Sequence, residues 1–546
     1  MANAPRRSRR PLLFVGALAV AALATVGALG LRLSGKDSVV IPEASVYTEG
    51  VAGTWQRINP IYSSTNEVDQ DLVQLIFAGL VRIGADGLPQ PDLAELPEIS
   101  DDGRTYVFRM RAGLRWHDGQ PLTSADVVFT LSRFTETGYK GDTALSEAWT
   151  GVGVETPDAA TVVLRLRQPS APFLARYGTV GILPQHILGG LAASALFDAP
   201  FNSNPVGAGP YRLESLDSRQ ATLVPNTAYH LGRPSIEKVR LRFYTDYPAA
   251  LRAVEAGDVQ GVMLREPPAD AQGTDLRKTK GLAIELPARA AYVILYLNND
   301  QALFQDFRVR RALSLALDRR AVVEHVFSGA ASPSSSAVPP DTWAYAADYD
   351  NIARNVEQAR KLLSDAGWTP HPTTGILVRE GTEFRFTIRT DNDAVRVAVA
   401  SEVAKQLEAV GIRATVASTT FSVLRRDFLE QRKYDAAIAG WDQGPDPDPY
   451  FGWHSSQTGN AGLNIANFTD TVTDELIARG RTRADIDVRK DAYRQFQEKW
   501  VELQPSVVIA YPRYTYVRAN SITGDVPATL SSASQRFAEI WRWKSG

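Results

Sequence analysis

Cysteine is absent from all 546 residues, and that absence removes much chemistry at once. Disulfides, thiolate-bound zinc, iron–sulfur clusters and a cysteine nucleophile are excluded, as is the lipid anchor that a bacterial lipoprotein builds on a cysteine. A chain without thiols is indifferent to redox compartment. Histidine is scarce: His117, His186, His230, His325, His371 and His454 stand far apart, with no H-x-x-x-H pair, so no metal site is expected. There is no G-x-x-x-x-G-K-[ST] run to cradle phosphates and no G-x-S-x-G elbow. Neither Gly151-Val152-Gly153 nor Gly207-Ala208-Gly209-Pro210 continues into a dinucleotide fingerprint, and Asp391-Asn392-Asp393 lacks the glycine and glutamate of a calcium loop. An excess of charge is missing too. The net charge is −2 and basic residues are spread along the body, which leaves no nucleic-acid footprint. No cofactor is implied.

What is present begins at the N-terminus. Arg6, Arg7, Arg9 and Arg10 precede an uncharged apolar run from Pro11 to Leu31, the order of a secretory signal. Ser8-Arg9-Arg10-Pro11-Leu12-Leu13 is similar to a twin-arginine export motif. At 1.5 Å per residue the run also reaches the roughly 30 Å of a bilayer core, and no convincing cleavage site follows. Residues 1–37 are therefore expected to be a signal sequence or a membrane anchor. Basic residues before the run place everything after it outside, so the body is expected to be extracytoplasmic.

The chain as a whole is globular in composition, with 44% hydrophobic and 22% charged residues. It is long enough for two to four domains. Tyr106 to Arg111 and Thr161 to Arg167 alternate as strands. Thr123-Ser124-Ala125-Asp126 opens a helix, close to a capping box. Amphipathic stripes run from Arg308 to Phe327, from Asn355 to Ala366 before Gly367, and from Val399 to Val410 before Gly411. Ile412 to Val416, Asp435 to Gly440 and Val507 to Tyr511 read as strands, with a helix through Phe496 and Trp500 stopped by Pro505. Helix–glycine–strand units of this kind indicate α/β layering.

One concentration of acid stands out: Asp442-Gln443-Gly444-Pro445-Asp446-Pro447-Asp448-Pro449-Tyr450, a proline-rigid loop after a strand. It reads as a solvated turn, as a binding edge for a cation or ammonium, or as a hydrolase acid/base pair, the last with nothing else to support it.

Ser100-Asp101-Asp102-Gly103-Arg104-Thr105-Tyr106-Val107-Phe108, continued by Arg111 to Thr123 with Trp116-His117-Asp118-Gly119 and then Ala125-Asp126-Val127, resembles the signature of the peptide/nickel-type substrate-binding proteins of ABC importers. Ile58-Asn59-Pro60, Leu183-Pro184-Gln185-His186, Asn204 to Tyr211 and Val309-Arg310-Arg311-Ala312-Leu313 extend the resemblance over nearly the whole body. On the residues alone the signature is structural: Asp101-Asp102-Gly103 is hairpin chemistry, and His117 is expected to pack and hydrogen-bond rather than ligate.

The resemblance implies an α/β, two-lobed, hinged periplasmic-binding-protein-like fold with an extra third domain and the ligand between the lobes. It divides the body into a discontinuous lobe I (38–58, 205–285 and 506–546), an accessory domain (59–204) and lobe II (286–505). It implies capture of di- or oligopeptides by lobe closure, delivery to ABC permease subunits, and a monomer without catalytic activity. Nickel chelates, oligosaccharides and a chaperone-like peptide holder remain alternatives. Among site residues it points to Glu49, Gly50 and Val51 from the first lobe. Arg389 is implied for a ligand carboxylate, Trp441 for stacking on the ligand or packing in the hinge, and Asp442 or Asp446 for a ligand ammonium.

Overall fold

In the computed structural model, which describes residues 45–265, 276, 279–351, 353–459 and 462–546, the chain builds two main sheets and one inserted sheet. The expected signal or anchor segment lies outside the described residues. Among those residues no helix is long and apolar enough to cross a membrane.

The first main sheet has seven strands, in the order Leu282–Glu285, Thr515–Ala519, Gly261–Leu264, Val46–Ala52, Lys238–Tyr244, Gln220–Pro225, Tyr211–Leu216. Val46–Ala52 is central and runs parallel to both neighbours. Between Val46–Ala52 and Tyr211 is inserted a four-stranded antiparallel sheet that contains Thr105–Arg109 and Thr161–Arg165. Its alternation is the one read from the sequence: Tyr106 and Phe108 lie opposite Leu164 and Val162, all four buried. The Thr123–Asp126 capping box forms and starts the helix Ser124–Arg133. Insertion and first sheet share one continuous core.

The second main sheet has six strands, ordered Ala331–Pro333, Val507–Pro512, Ala291–Leu297, Ala436–Asp442, Arg385–Asp391, Arg413–Thr419. Cores cover both of its faces, which is why Ala436 to Ala439 read as an uninterrupted apolar run. Its helices end where the glycines lie: Val356–Asp365 before Gly367 at φ +88°, and Ala394–Glu408 before Gly411 at φ +78°.

Two readings are corrected here. The stripe from Arg308 to Phe327 is two helices, Phe307–Ala316 and Arg319–Phe327. Leu317 is extended and the Asp318 side chain caps a new helix by accepting from the Ala321 N–H; apolar periodicity does not register that break. Val507–Pro512 pairs with Ala291–Leu297, so this part of the segment assigned to the first lobe belongs to the second sheet.

Candidate functional site

The chain passes between the two main sheets side by side in two segments. One joins Leu282–Glu285 to Ala291–Leu297; the other joins Val507–Pro512 to Thr515–Ala519. They are tied where they cross: Ala288 bridges Arg513, and the Tyr514 N–H donates to the Pro287 carbonyl at 2.9 Å. Above this crossing opens a cavity of about 760 Å³, within the range of ligand pockets.

Strand direction explains what lines it. Val46–Ala52, Lys238–Tyr244 and Gly261–Leu264 are parallel or run the same way, and their C-terminal ends bring Ala52 to Thr54, Thr245 to Tyr247, and Arg265 to one edge. The helix Glu67–Ile76, capped by the Asn66 side chain on the Asp69 N–H, presents its first residue there. Arg289, Ala290, Ala291 and Tyr514 come from the crossing segments, and Asp442 comes from the end of its strand in the second sheet.

The charges are unevenly satisfied. Glu67 accepts from the Tyr247 hydroxyl at 2.5 Å and pairs with Arg265 at 3.1 Å. Asp246 caps the helix Tyr247–Glu255 through the Ala249 N–H. Arg289 lies over the Tyr514 ring at 5.3 Å. Asp442 is exposed, and its carboxylate accepts the Gly444 N–H at 2.8 Å. Burial raises the Tyr514 hydroxyl above its ordinary range; Arg289 and Arg265 pull it back, while Glu67 and Asp442 push with burial. All four charges are thus within electrostatic reach of one hydroxyl.

Of the residues singled out in the sequence, only Asp442 lines this cavity. Glu49 is fully buried beneath it, where it accepts from Tyr47 and Tyr516 and pairs with Arg536 at 2.6 Å. Arg536 also grips Asp71 with two hydrogen bonds of 2.7 and 2.6 Å. Glu49 therefore fastens the C-terminal tail to the first strand and has no free oxygen facing the cleft. Gly50 and Val51 line only a void of about 20 Å³ beside Arg536; a Cβ on Gly50 would sit 3.2 Å from the Tyr244 ring. The strand reaches the cleft at Ala52, one residue later.

Arg389 is half-buried with its guanidinium 3.7 Å from the Phe428 ring centre, and it does not line the cavity. Trp441 is half-buried and does not line the cavity, and a Cβ added to Gly452 would sit 3.5 Å from its ring. Asp446 is buried, joined to Arg489 by bonds of 2.9 and 2.7 Å, and does not line the cavity. Asp448 is held by Arg481 and by the Tyr493 hydroxyl. Arg176, from the inserted region, donates to the Gln443 carbonyl at 2.8 Å and seats that region on the same loop.

His117 has the structural role expected of it. Its Nδ1 accepts the Gly207 N–H at 3.2 Å and its Nε2–H donates to the Gly209 carbonyl at 3.1 Å. Burial depresses its pKa to about 4. Among the described residues no group of three or more metal-ligating side chains is placed to hold an ion. Sequence reasoning missed Glu67, Arg265, Arg289, Tyr247 and Tyr514. Their only shared signal is position just past a strand or at a helix start, and that signal is weak without the topology.

Comparison with known proteins places this architecture. Residues 89–462 match the profile described as bacterial extracellular solute-binding proteins, family 5 Middle. The oligopeptide-binding protein AppA of Bacillus subtilis (strain 168) is 28% identical over 95% of this chain and 96% of its own length. Protein XP55 of Streptomyces lividans is 30% identical over 86% of this chain and 82% of its own. The structure of B. subtilis AppA in complex with a nonapeptide superposes with a TM-score of 0.66 at 27% identity, covering 92% of this chain and 99% of that one. The murein tripeptide binding protein MppA, in its unliganded open form, superposes with a TM-score of 0.76 at 20% identity, over 92% and 98%.

Proposed function

The chain belongs to the bacterial extracellular solute-binding proteins of family 5, and from that premise we propose that it captures peptides outside the cytoplasm and delivers them to the permease of an ABC importer. The observation that carries the peptide reading is Asp442, an exposed carboxylate on the cavity wall with no ion-pair partner among the described residues. It offers a peptide's ammonium a charged acceptor at the junction of the two lobes. The relationship to AppA over nearly the full length of both chains supports the same reading.

The lobes divide at the crossing segments: the second runs from about 286 to 512, and the first comprises the remaining body with 59–204 as its accessory part. Superposition is better on the open, unliganded MppA than on peptide-bound AppA despite lower sequence identity, which supports an open state that contracts around the ligand. Closure then buries the ligand and shifts the population toward the form the permease accepts. The protein acts as a monomer, binds without turnover, and is tethered or exported through residues 1–37.

Native mass spectrometry and thermal shift with a peptide library test this. A peptide at a hundred times its Kd adds about 2.7 kcal/mol of stability. An apo mass with no shift from any peptide, together with a shift from a nickel chelate or an oligosaccharide, overturns the peptide assignment and keeps the scaffold.

A further inference from the structure

We infer that the inserted region is a second bearing for the movement of the lobes, with Arg176 as its pin, and that closure is thereby held to rotation about a single axis. The inference rests on the two-lobed architecture and on no choice of ligand.

The inserted region and the first sheet are one body because they share a core, while the cores of the second sheet are separate from it. Between bodies that share no core, the joint alone decides which motions are free. The crossing segments supply one attachment, and the inserted region supplies another. Its helix Pro172–Tyr177 carries Arg176 to the loop after Trp441, where one guanidinium nitrogen donates to the carbonyls of Gln443 at 2.8 Å and Asp446 at 3.3 Å. At the start of the same helix the Ala171 N–H donates to the Arg481 carbonyl at 2.8 Å. Arg481 lies in the last turn of the helix Thr471–Thr482, where carbonyls have no partner inside the helix, so the inserted region caps a helix of the second lobe. The two grips are separated by about 7.5 Å of helical rise. Both sides of the contact are firm. The Tyr106 hydroxyl donates to the Ser170 carbonyl at 3.0 Å and Phe173 is buried in the shared core, while Gln443 and Asp446 are 2% and 3% exposed.

The two attachments meet at Gln443. Its N–H donates to the Ala290 carbonyl of a crossing segment at 2.8 Å, and its own carbonyl accepts from Arg176. Its side-chain amide donates to the Ala337 carbonyl of the second lobe at 2.6 Å. Hydrogen bonds therefore run in series from the Ala288–Arg513 bridge through Gln443 to Arg481. A body held at one point can both swing and twist. Held at two separated points, it turns only about the line between them. Closure about that line keeps both attachments and brings the facing lobes together in one register, without the ordering cost of a looser joint.

The absence of cysteine allows a direct test. Ala228→Cys in the first lobe and Ser364→Cys in the second, both at exposed positions, carry spin labels on the purified full chain without ligand. Pulsed dipolar spectroscopy then reads the spread of distances between them. The background with native Arg176 is expected to give a narrow spread. Arg176→Ala is expected to raise the population outside that spread about tenfold, the effect of losing a charged hydrogen bond. Arg176→Lys keeps the charge, loses the planar fork and is expected to fall between the two. Ala171→Pro reaches the same result by a second route: the φ of −58° suits proline, and the donor to Arg481 is removed. Circular dichroism matching the background assigns the broadening to the joint. If Arg176→Ala and Ala171→Pro both keep the narrow spread, or if the background is already as broad as they are, the inserted region is no bearing. Broadening that comes with a loss of helical signal marks a damaged fold and overturns the assignment as well. None of these outcomes bears on the peptide reading, since the measurement is made without ligand.

Discussion

At the root of the loop that follows Trp441, Asp446 and Asp448 are each 3% exposed and paired with Arg489 and Arg481. At its mouth Asp442 is exposed and accepts a single backbone N–H. The same side chain therefore does opposite work within one proline-rich turn. A buried carboxylate costs several kcal/mol of desolvation and is tolerated only with a partner, so the root fixes the shape of the loop and lies off the cavity wall. An exposed carboxylate loses little by staying unpaired and keeps its capacity for a ligand. The first lobe repeats the contrast: Glu49 and Asp71 are locked on Arg536, while Glu67 reaches the cleft from the helix that carries Asp71. In both lobes burial separates carboxylates that hold the fold from those that line the cavity.

The sharpest way to break this comparison is to strip the root. Arg489→Met leaves Asp446 buried without its cation, and an uncompensated buried charge costs about 3–5 kcal/mol. Arg489 itself is held well above its ordinary range, with Asp446 and Tyr493 outweighing burial. Denaturant titration read through tryptophan fluorescence is expected to show that loss. A variant as stable as wild type would mean the root pair is dispensable.

A half-buried histidine outside this loop offers a second check on stability. His117 falls from an ordinary 6.5 to about 4 because burial disfavours its imidazolium. The unfolded chain therefore takes up the proton first. The stabilising contribution of neutral His117 is complete above pH 6.5 and is lost as the pH falls toward 4, about 3 kcal/mol in all. His117→Gln is expected to flatten that acid limb in a pH series of denaturant midpoints, and an unchanged limb would assign it elsewhere.

In the cleft the expected effects on stability shrink. Arg265 and Glu67 are 54% and 36% exposed, and half-solvated pairs contribute at most about 1 kcal/mol. Arg265→Met is expected to lower stability by no more than that, with the difference fading at high salt. A larger loss would make the pair part of the fold instead of the cleft.

The sequence was legible where local rules decide the structure. The capping box at Thr123, the alternation of Tyr106 and Phe108 and the glycine stops at Gly367 and Gly411 all follow from neighbours within a few residues. The cleft was not legible, because its residues meet from distant segments. Arg289 and Tyr514 are brought together by the crossing strands, and the fate of Asp446 is set by Arg489, 43 residues downstream. Arg389 illustrates the limit: it lies on the expected strand, but Phe428 covers its guanidinium. Glu49 does as well, one turn of topology short of the cavity that opens at Ala52.

The smallest expected change in stability carries the largest functional one. Asp442→Asn keeps an oxygen where the Gly444 N–H donates, so the local turn survives and the free protein is expected to stay within about 0.5 kcal/mol of wild type. What is removed is the charge offered to an ammonium. A charged hydrogen bond of about 1.5–3 kcal/mol corresponds to a ten- to hundredfold loss of affinity for peptides with a free N-terminus. N-acetylated peptides have no ammonium to lose and are expected to bind both proteins equally. Asp446→Asn reverses the pattern, with a marked loss of stability and little change in the affinity of the fraction that remains folded. Measuring both variants by denaturant titration and by calorimetry therefore decides between mouth and root. If Asp442→Asn destabilises the protein and spares the affinity, the loop has been read the wrong way round.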